Sequence, residues 1–212
     1  TGFEKQRHFE EAAVIMRGYR HLVPTDPKAV VMLGAFYIRI AGNQKSVNSE
    51  LEKALMQEAV HLLESCYETQ KEDVLLLYYL GTAYHWQKSY LKAEKTWHSA
   101  LACTSRKKEE KLIRARLEEV APYARYEQGY QLVLKGKAKE GLSLLEKALI
   151  KKPDWWNVHF FIALAHRLMG NLDEAVKHFG KVLRLRGFHL QTAIELSDIF
   201  LEKGEKEKAL TW

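Results

Sequence analysis

The feature that most constrains this chain is an internal period of 34 residues along which small side chains recur. Two sets of small residues are spaced in this way: Gly129, Ala163 and Ser197, and then Gly141, Ala175 and Ala209. A unit of this length cannot bury its apolar faces alone, because it holds only one supersecondary motif. The period therefore predicts that the chain folds as an array of stacked, similar units.

The copies divide the whole chain into consecutive ranges, which we expect to form a single repeat domain over residues 1–212. These ranges are a half-copy at 1–26, full copies at 27–73, 74–107, 122–155 and 156–189, and a truncated copy at 190–212. Pro24 ends the first half-copy. Because both terminal copies are incomplete, we interpret the chain as a fragment of a longer protein.

Two stretches interrupt the period, near residues 43–56 and at 108–121. In the first, Asn48 or Ser49 followed by Glu50 and Glu52 is typical of a helix start, so the second helix of that copy is expected to be longer. In the second, the apolar residues have helical spacing and predict an inserted amphipathic helix. These apolar residues are Leu112, Ile113, Leu117 and Val120.

Apolar spacing within a copy predicts a helix, a short turn and a second helix. In the copy from Val74, one stripe contains Leu77, Gly81 and Tyr84, and a second contains Ala93 and Trp97. Small residues where the two stripes cross allow the helix axes to approach closely, while the bulky residues fill the space beside them. Each copy is therefore expected to be a helical hairpin.

This pattern resembles the tetratricopeptide repeat, a 34-residue helical hairpin. The residues that carry the resemblance are Leu80-Gly81, Tyr84, Ala93, Trp97 and Ala100 in one copy and Gly129, Gly141, Leu145, Ala148 and Pro153 in another. The resemblance covers nearly the whole chain apart from the two interruptions. It implies an all-α fold, a right-handed α-solenoid of about 11–12 helices.

Composition excludes several classes of function. The net charge of +6, from 33 basic and 27 acidic residues, is a weak sign of nucleic-acid binding, so we do not expect a nucleic-acid partner. No run of eighteen uncharged apolar residues is present, so no membrane association is expected. The two cysteines are too few for a disulfide framework and favour a reducing, cytoplasmic setting.

The sequence predicts no catalytic site, cofactor site or metal site. The sequence has no Gly-rich phosphate loop, nucleophile elbow or spaced acid/base pair, so we expect no enzyme activity and no cofactor. His159 and His166 fall on the packing stripe about 10 Å apart along a helix, and His178 lies on the next helix. We interpret these three histidines as structural residues and expect no metal site.

The first helix of each copy has a second apolar face, opposite its packing stripe. In tetratricopeptide arrays the first helices line the concave surface, so the resemblance implies that this face forms a groove for a partner. The groove residues expected on this basis are Leu75, Tyr79, Thr82, Trp86, Tyr123, Tyr126, Tyr130, Leu134, Phe161, Leu164, Leu168, Glu195 and Asp198. Aromatic anchors in a concave site usually carry most of the binding energy.

The same face becomes acidic in the last copy, where Glu195, Asp198 and Glu202 occupy it. We therefore expect a scaffold or adaptor that binds a protein segment with apolar anchors and basic residues at one end. Two alternatives remain open, a helical-repeat RNA-binding module and an accessory domain of a larger enzyme. Self-association through the incomplete terminal copies is a further expectation.

Overall fold

The computed structural model describes residues 2–23, 26–43 and 49–212, and the predictions made for Pro24 and Asn48 lie outside these residues. Every regular element in this part of the chain is an α-helix. The helices are α1 (Gly2–Leu22), α2 (Pro27–Asn43), α3 (Ser49–Tyr67), α4 (Val74–Trp86), α5 (Tyr90–Cys103), α6 (Lys107–Leu134), α7 (Ala138–Leu149), α8 (Trp156–Leu168), α9 (Leu172–Arg186), α10 (Leu190–Glu202) and α11 (Lys206–Ala209). The all-α fold class is thereby confirmed.

The helices form two compact units, Thr1–Val120 and Ala121–Trp212, hereafter unit 1 and unit 2. Within unit 1, α2 packs against both α1 and α3, and α4 packs against α3 and α5. Within unit 2, α8 packs between α7 and α9, and α10 packs against α9 and α11. Each unit is therefore a stack of helical hairpins. A single superhelical domain of repeats stays a prediction.

The hairpins of unit 1 cross at glycines. A Cβ atom added to Gly81 of α4 would lie 2.6 Å from the indole nitrogen of Trp97 in α5, closer than real Cβ contacts. Trp97 is fully buried there, and its Nε1 donates a hydrogen bond to the backbone carbonyl of Tyr78. Gly34 of α2 approaches Leu63 of α3 in the same way, at 2.9 Å. The bulky side chain of each second helix thus fills the space left by glycine.

Unit 2 repeats this arrangement with different residues. A Cβ atom on Gly141 of α7 would meet the carbonyl oxygen of Gly129 in α6 at 2.7 Å, so here two backbones are in contact. In the next hairpin the equivalent positions are Ala163 and Ala175, and both are fully buried. The small residues that define the period are therefore required at the helix crossings by close packing.

Helix α6 differs from the expected organisation. Residues 108–121 do not form a separate helix but continue through Pro122 into the first helix of the next copy. The residues around this proline include no Gly, Asn or Asp, so nothing in the sequence favours a turn there. Pro122 has no backbone N–H to donate to the carbonyl oxygen of Glu118, one turn earlier in the helix. Because Glu118 is exposed, water can donate a hydrogen bond to that oxygen instead. The boundary between the two units falls just before this proline.

Candidate partner-binding cleft

A cleft of about 740 Å³ opens in unit 1 between α2, α4 and the first half of α6. A smaller hollow of about 240 Å³ shares part of its lining. The residues common to both are Arg39, Tyr78, Tyr79 and Leu112. The two hollows together are hereafter the unit 1 cleft.

Helix α4 supplies the floor of the unit 1 cleft. Tyr79, Thr82 and Trp86 line the larger hollow, and Leu75 lines the smaller one together with Tyr79. These are the four residues of α4 that the sequence assigned to a groove. Their spacing places them on one side of the helix, while Leu76, Leu80 and Ala83 on the other side are buried in the core.

Tyr79 differs from the exposed anchor that the sequence suggested, because only 7% of the residue is accessible. Its ring packs edge-on against Tyr78, with 5.3 Å between the ring centroids. Its hydroxyl accepts a hydrogen bond from the guanidinium of Arg39, which also lies 5.6 Å from the ring centroid. Tyr79 therefore supports the cleft from below, and Arg39 is held in place over it.

The inserted residues form the opposite wall of the cleft. Leu112, Arg116 and Glu119 are spaced by one helical turn along α6 and all line the larger hollow. Arg116 forms an ion pair of 3.0 Å with Glu119. Its hydrogen bond to Tyr78 raises the pKa of its guanidinium further above its usual range. None of these three residues was predicted as a site residue, although the apolar stripe of the insertion indicated a packed helix.

Trp86 lies at the end of the cleft in a polar environment. Its indole Nε1 donates a hydrogen bond of 2.9 Å to a carboxylate oxygen of Glu52 in α3. The ring is half-buried and lines the cleft beside His85 and Met56. Because the indole N–H is already donated to Glu52, Trp86 can contact a ligand through the apolar part of its ring.

The predicted aromatic residues of unit 2 pack against one another. Tyr126 is central: its ring centroid lies 4.8 Å from that of Trp155, 5.2 Å from that of Tyr130 and 6.0 Å from that of Phe161. The ring centroid of Tyr123 lies 5.1 Å from that of Trp155, so Tyr123 belongs to the same cluster. All of these rings are half-buried, which leaves part of each accessible.

The remaining groove residues of unit 2 differ in exposure and pairing. Leu134 and Leu168 are exposed, whereas Leu164 is half-buried and packs against the core. Glu195 forms a close ion pair with Arg167, and Asp198 lies 3.8 Å from the same guanidinium. Glu202 also pairs with Arg167, at 2.7 Å. The acidic end of the predicted groove is therefore partly neutralised from within the unit.

The three histidines of α8 and α9 form a cluster that the sequence did not reveal. The Nδ1 atoms of His159 and His178 are 3.1 Å apart, and the ring of His166 lies 5.9 Å from that of His178. Nε2 of His159 contacts the carbonyl oxygen of Pro153 at 2.8 Å, so this nitrogen must carry the proton and Nδ1 must accept from His178. Nδ1 of His166 is buried without a hydrogen-bond partner.

The geometry of this cluster does not suit a metal ion. Among the described residues, no three His, Cys, Asp or Glu side chains are arranged as metal ligands. Lys181 and Arg184 line a hollow beside His159 and disfavour a bound cation. The pKa of His178 is lowered to about 4, mainly by burial and in addition by its histidine neighbours. At neutral pH His178 is therefore uncharged, and a hydrogen bond joins it to His159.

Comparison with known proteins shows a similarity of fold. No protein-family model matches this sequence, and no curated protein matches it. Two solved structures of MamA are similar, one of MamA from residue 41 to its end from Desulfovibrio magneticus RS-1 and one of a MamA RS-1 double mutant. Each match covers 84% of this chain and 89% of the MamA chain, with 18% sequence identity and a TM-score of 0.51. The chain is thus an all-helical repeat protein with a fold like that of MamA.

None of the helices in the described ranges is both long enough and apolar enough to cross a bilayer.

Proposed function

We propose that this chain is a non-catalytic, tetratricopeptide-like scaffold that binds a segment of a partner protein in the unit 1 cleft. The observation that carries the proposal is the composition of the cleft. Aromatic and aliphatic side chains of α4 and α6 face two guanidinium groups there, and one wall comes from residues outside the regular period. Clefts of this kind, apolar with a few oriented polar groups, are the usual sites of ligand binding.

Each part of the cleft has a separate role in this proposal. Trp86, Leu75 and Leu112 provide the apolar contact area that anchors a bound side chain. Arg39 and Arg116 are oriented by tyrosine hydroxyls and offer N–H donors to the backbone carbonyls of an extended or helical segment. Tyr79 is too buried to be an anchor, so its role is to orient Arg39.

The half-buried aromatic cluster of unit 2, centred on Tyr126, is a second binding surface in this proposal. The partly neutralised carboxylates near Arg167 weaken the case for a partner with a strongly basic end. No specific observation favours an RNA-binding module or an accessory domain of an enzyme, and both stay alternatives.

Selection from a displayed random-peptide library tests the proposal. Peptides with aromatic or aliphatic anchors should be enriched by the parent chain, because the cleft is lined mainly by apolar side chains. The double variant Trp86→Ala with Leu112→Ser should bind these peptides at least about tenfold more weakly. Trp212→Ala is the matched control, since Trp212 is an exposed tryptophan of unit 2, and it should bind like the parent.

The circular dichroism spectrum of each variant must match that of the parent. A loss of binding is then due to the changed cleft side chains and not to unfolding. Peptides that bind the double variant as tightly as the parent would contradict the proposed site. Failure to enrich any peptide would contradict the proposed function as a whole.

A further inference from the structure

Two turns lie together at one edge of unit 2. Pro153 and Asp154, from the turn before α8, line a hollow together with Lys181, Arg184 and Leu185 near the end of α9. The guanidinium of Arg186 lies over the ring of Trp156 at 4.2 Å from its centroid, so the end of α9 also contacts the start of α8. The turn before α8 and the end of α9 therefore share a surface, and the two segments that run through it, residues 150–154 and 181–190, are hereafter the basic edge.

The basic edge carries most of the surplus charge of the chain. Five basic residues lie in these two segments against one acidic residue, a balance of +4 within a chain whose net charge is +6. All five basic residues are exposed. The five are Lys151, Lys152, Lys181, Arg184 and Arg186, and the acidic residue is Asp154.

Large apolar side chains are exposed among these charges. Phe188 is 77% accessible and follows Gly187, whose φ of +79° is readily adopted only by glycine and turns the chain sharply after α9. Leu185 and Leu190 flank this turn, and Ile150 lies at the other turn; all three are exposed. Single exposed apolar residues are common on protein surfaces, but these four lie in the same two short segments as the five basic residues.

We propose that the basic edge docks on the surface of an anionic lipid bilayer. Phe188, Leu190 and Ile150 would enter the boundary between headgroups and acyl chains, and the basic side chains would contact lipid phosphates and carboxylates. The expectation of no membrane association rested on the absence of a spanning segment. Peripheral docking needs none, because the protein remains on the water side of the interface.

Charge and apolar exposure together favour a bilayer over other anionic partners. A nucleic-acid backbone would pair with the cations but would leave Ile150, Leu185 and Leu190 in water, since phosphates and sugars give aliphatic side chains no apolar environment. An anionic bilayer presents negative charge and an apolar layer within a few ångströms of each other. It therefore matches both components of the edge at the same time.

Sedimentation with lipid vesicles tests this proposal on the whole chain. The chain should sediment with phosphatidylcholine vesicles that contain about one third phosphatidylserine, and at least about tenfold less with phosphatidylcholine alone. Binding should weaken as salt is added, because the cations act through screened electrostatic attraction. Single-stranded RNA serves as the competing anionic probe and should not displace the chain from the vesicles.

Two variants separate the two components of the edge. Phe188→Ser with Leu190→Ser should abolish sedimentation at every salt concentration, and Lys181→Gln with Arg184→Gln should remove the preference for phosphatidylserine. Leu210→Ser, at an exposed leucine that follows α11, is the control for loss of an apolar side chain and should bind like the parent. Equal sedimentation of the Phe188 variant and the parent, no sedimentation of the parent, or displacement by RNA would overturn the proposal. The peptide selection above concerns unit 1 and is independent of this result.

Discussion

Lys88 adopts a backbone conformation that glycine adopts at the corresponding position of three other copies. Gly136, Gly170 and Gly204 are 34 residues apart and have φ values of +78°, +78° and +77°, and Lys88 has a φ of 60°. In each case the residue lies two positions after the last residue of the first helix of a hairpin. A left-handed conformation brings the Cβ atom of an L-residue close to a carbonyl oxygen, so lysine is strained where glycine is not.

Replacing this lysine should therefore stabilise the protein. We expect Lys88→Gly to raise the free energy of unfolding by about 1 kcal/mol, because the relief of strain exceeds the added entropy of the unfolded chain. Urea unfolding of parent and variant measures the difference. The reverse change, Gly136→Lys, should destabilise by a similar amount. A Lys88→Gly variant that is no more stable than the parent would show that the turn tolerates lysine without strain.

At the level of single residues, the period predicted packing more reliably than exposure. It placed Gly81, Trp97 and Gly141 at the crossings, where the structure has them in close contact, because steric fit at a crossing depends on local residue size. It placed Tyr79 on the face of α4 that lines the cleft but could not show that the residue is buried. That burial depends on Arg39 from another helix, and a helical wheel does not contain this information.

At the level of helices, the hairpin of α8 and α9 contains a half-buried histidine, His178, whose pKa is lowered by burial and by nearby basic groups. His178 faces His159 and His166 on α8 and has Lys181 and Glu174 on its own helix. Burial and most of these neighbours oppose its protonation, and only Glu174 favours it. The sequence placed these histidines on packing positions but could not show that side chains from two helices meet, because the relative rotation of the helices is not encoded in spacing.

This cluster predicts that the hairpin is sensitive to acid. Burial lowers the pKa of His178 from 6.5 to about 4, so the folded chain binds a proton less readily than the unfolded chain. Its contribution to stability is therefore complete above about pH 6.5 and is lost progressively as the pH falls towards about 4. Hydrogen exchange of α8 and α9 at pH 7 and pH 5 should show weaker protection at the lower pH.

The variant His178→Gln should reduce this dependence on pH, since glutamine does not titrate. His98→Gln, which replaces an exposed histidine of α5, should leave it unchanged. An equal loss of protection in the parent and in His178→Gln would assign the acid sensitivity to other groups.

The longest helices show which irregularities a sequence can reveal. The lengthened second helix was expected from a start near Ser49, and α3 begins at this residue. The insertion at 108–121 was recognised as helical, but its fusion with the next helix was not. Pro122 is typical of a first helical position, and the sequence alone does not distinguish a helix that begins at this proline from one that passes through it.

At the level of the whole molecule, each unit presents an uncovered apolar face. On α1, Ile15, Tyr19 and Leu22 lie on one side of the helix and are exposed, Leu22 by 83%. On α10, Ile194 and Leu201 are exposed on one side. In a stack of hairpins these are the faces against which a further helix would pack.

These faces predict concentration-dependent association between copies of the chain. Sedimentation equilibrium should show the average mass rising from micromolar to hundreds of micromolar protein. The variant Ile15→Glu with Leu22→Glu should lower that rise, because two charges oppose burial of the face. Ala54→Glu, at an exposed position of α3, is the matched control and should associate like the parent. A mass that stays monomeric over the full range would contradict the prediction.

The insertion in α6 has a consequence for how such a protein acquires specificity. A perfectly regular array presents the same shallow surface at every copy, so it has no reason to prefer one ligand position over another. Here a departure from regularity adds Leu112 and Arg116 beside α4 and makes one location unlike the rest. If the unit 1 cleft binds a partner as proposed, its specificity comes from an insertion that breaks the period and not from the regular copies.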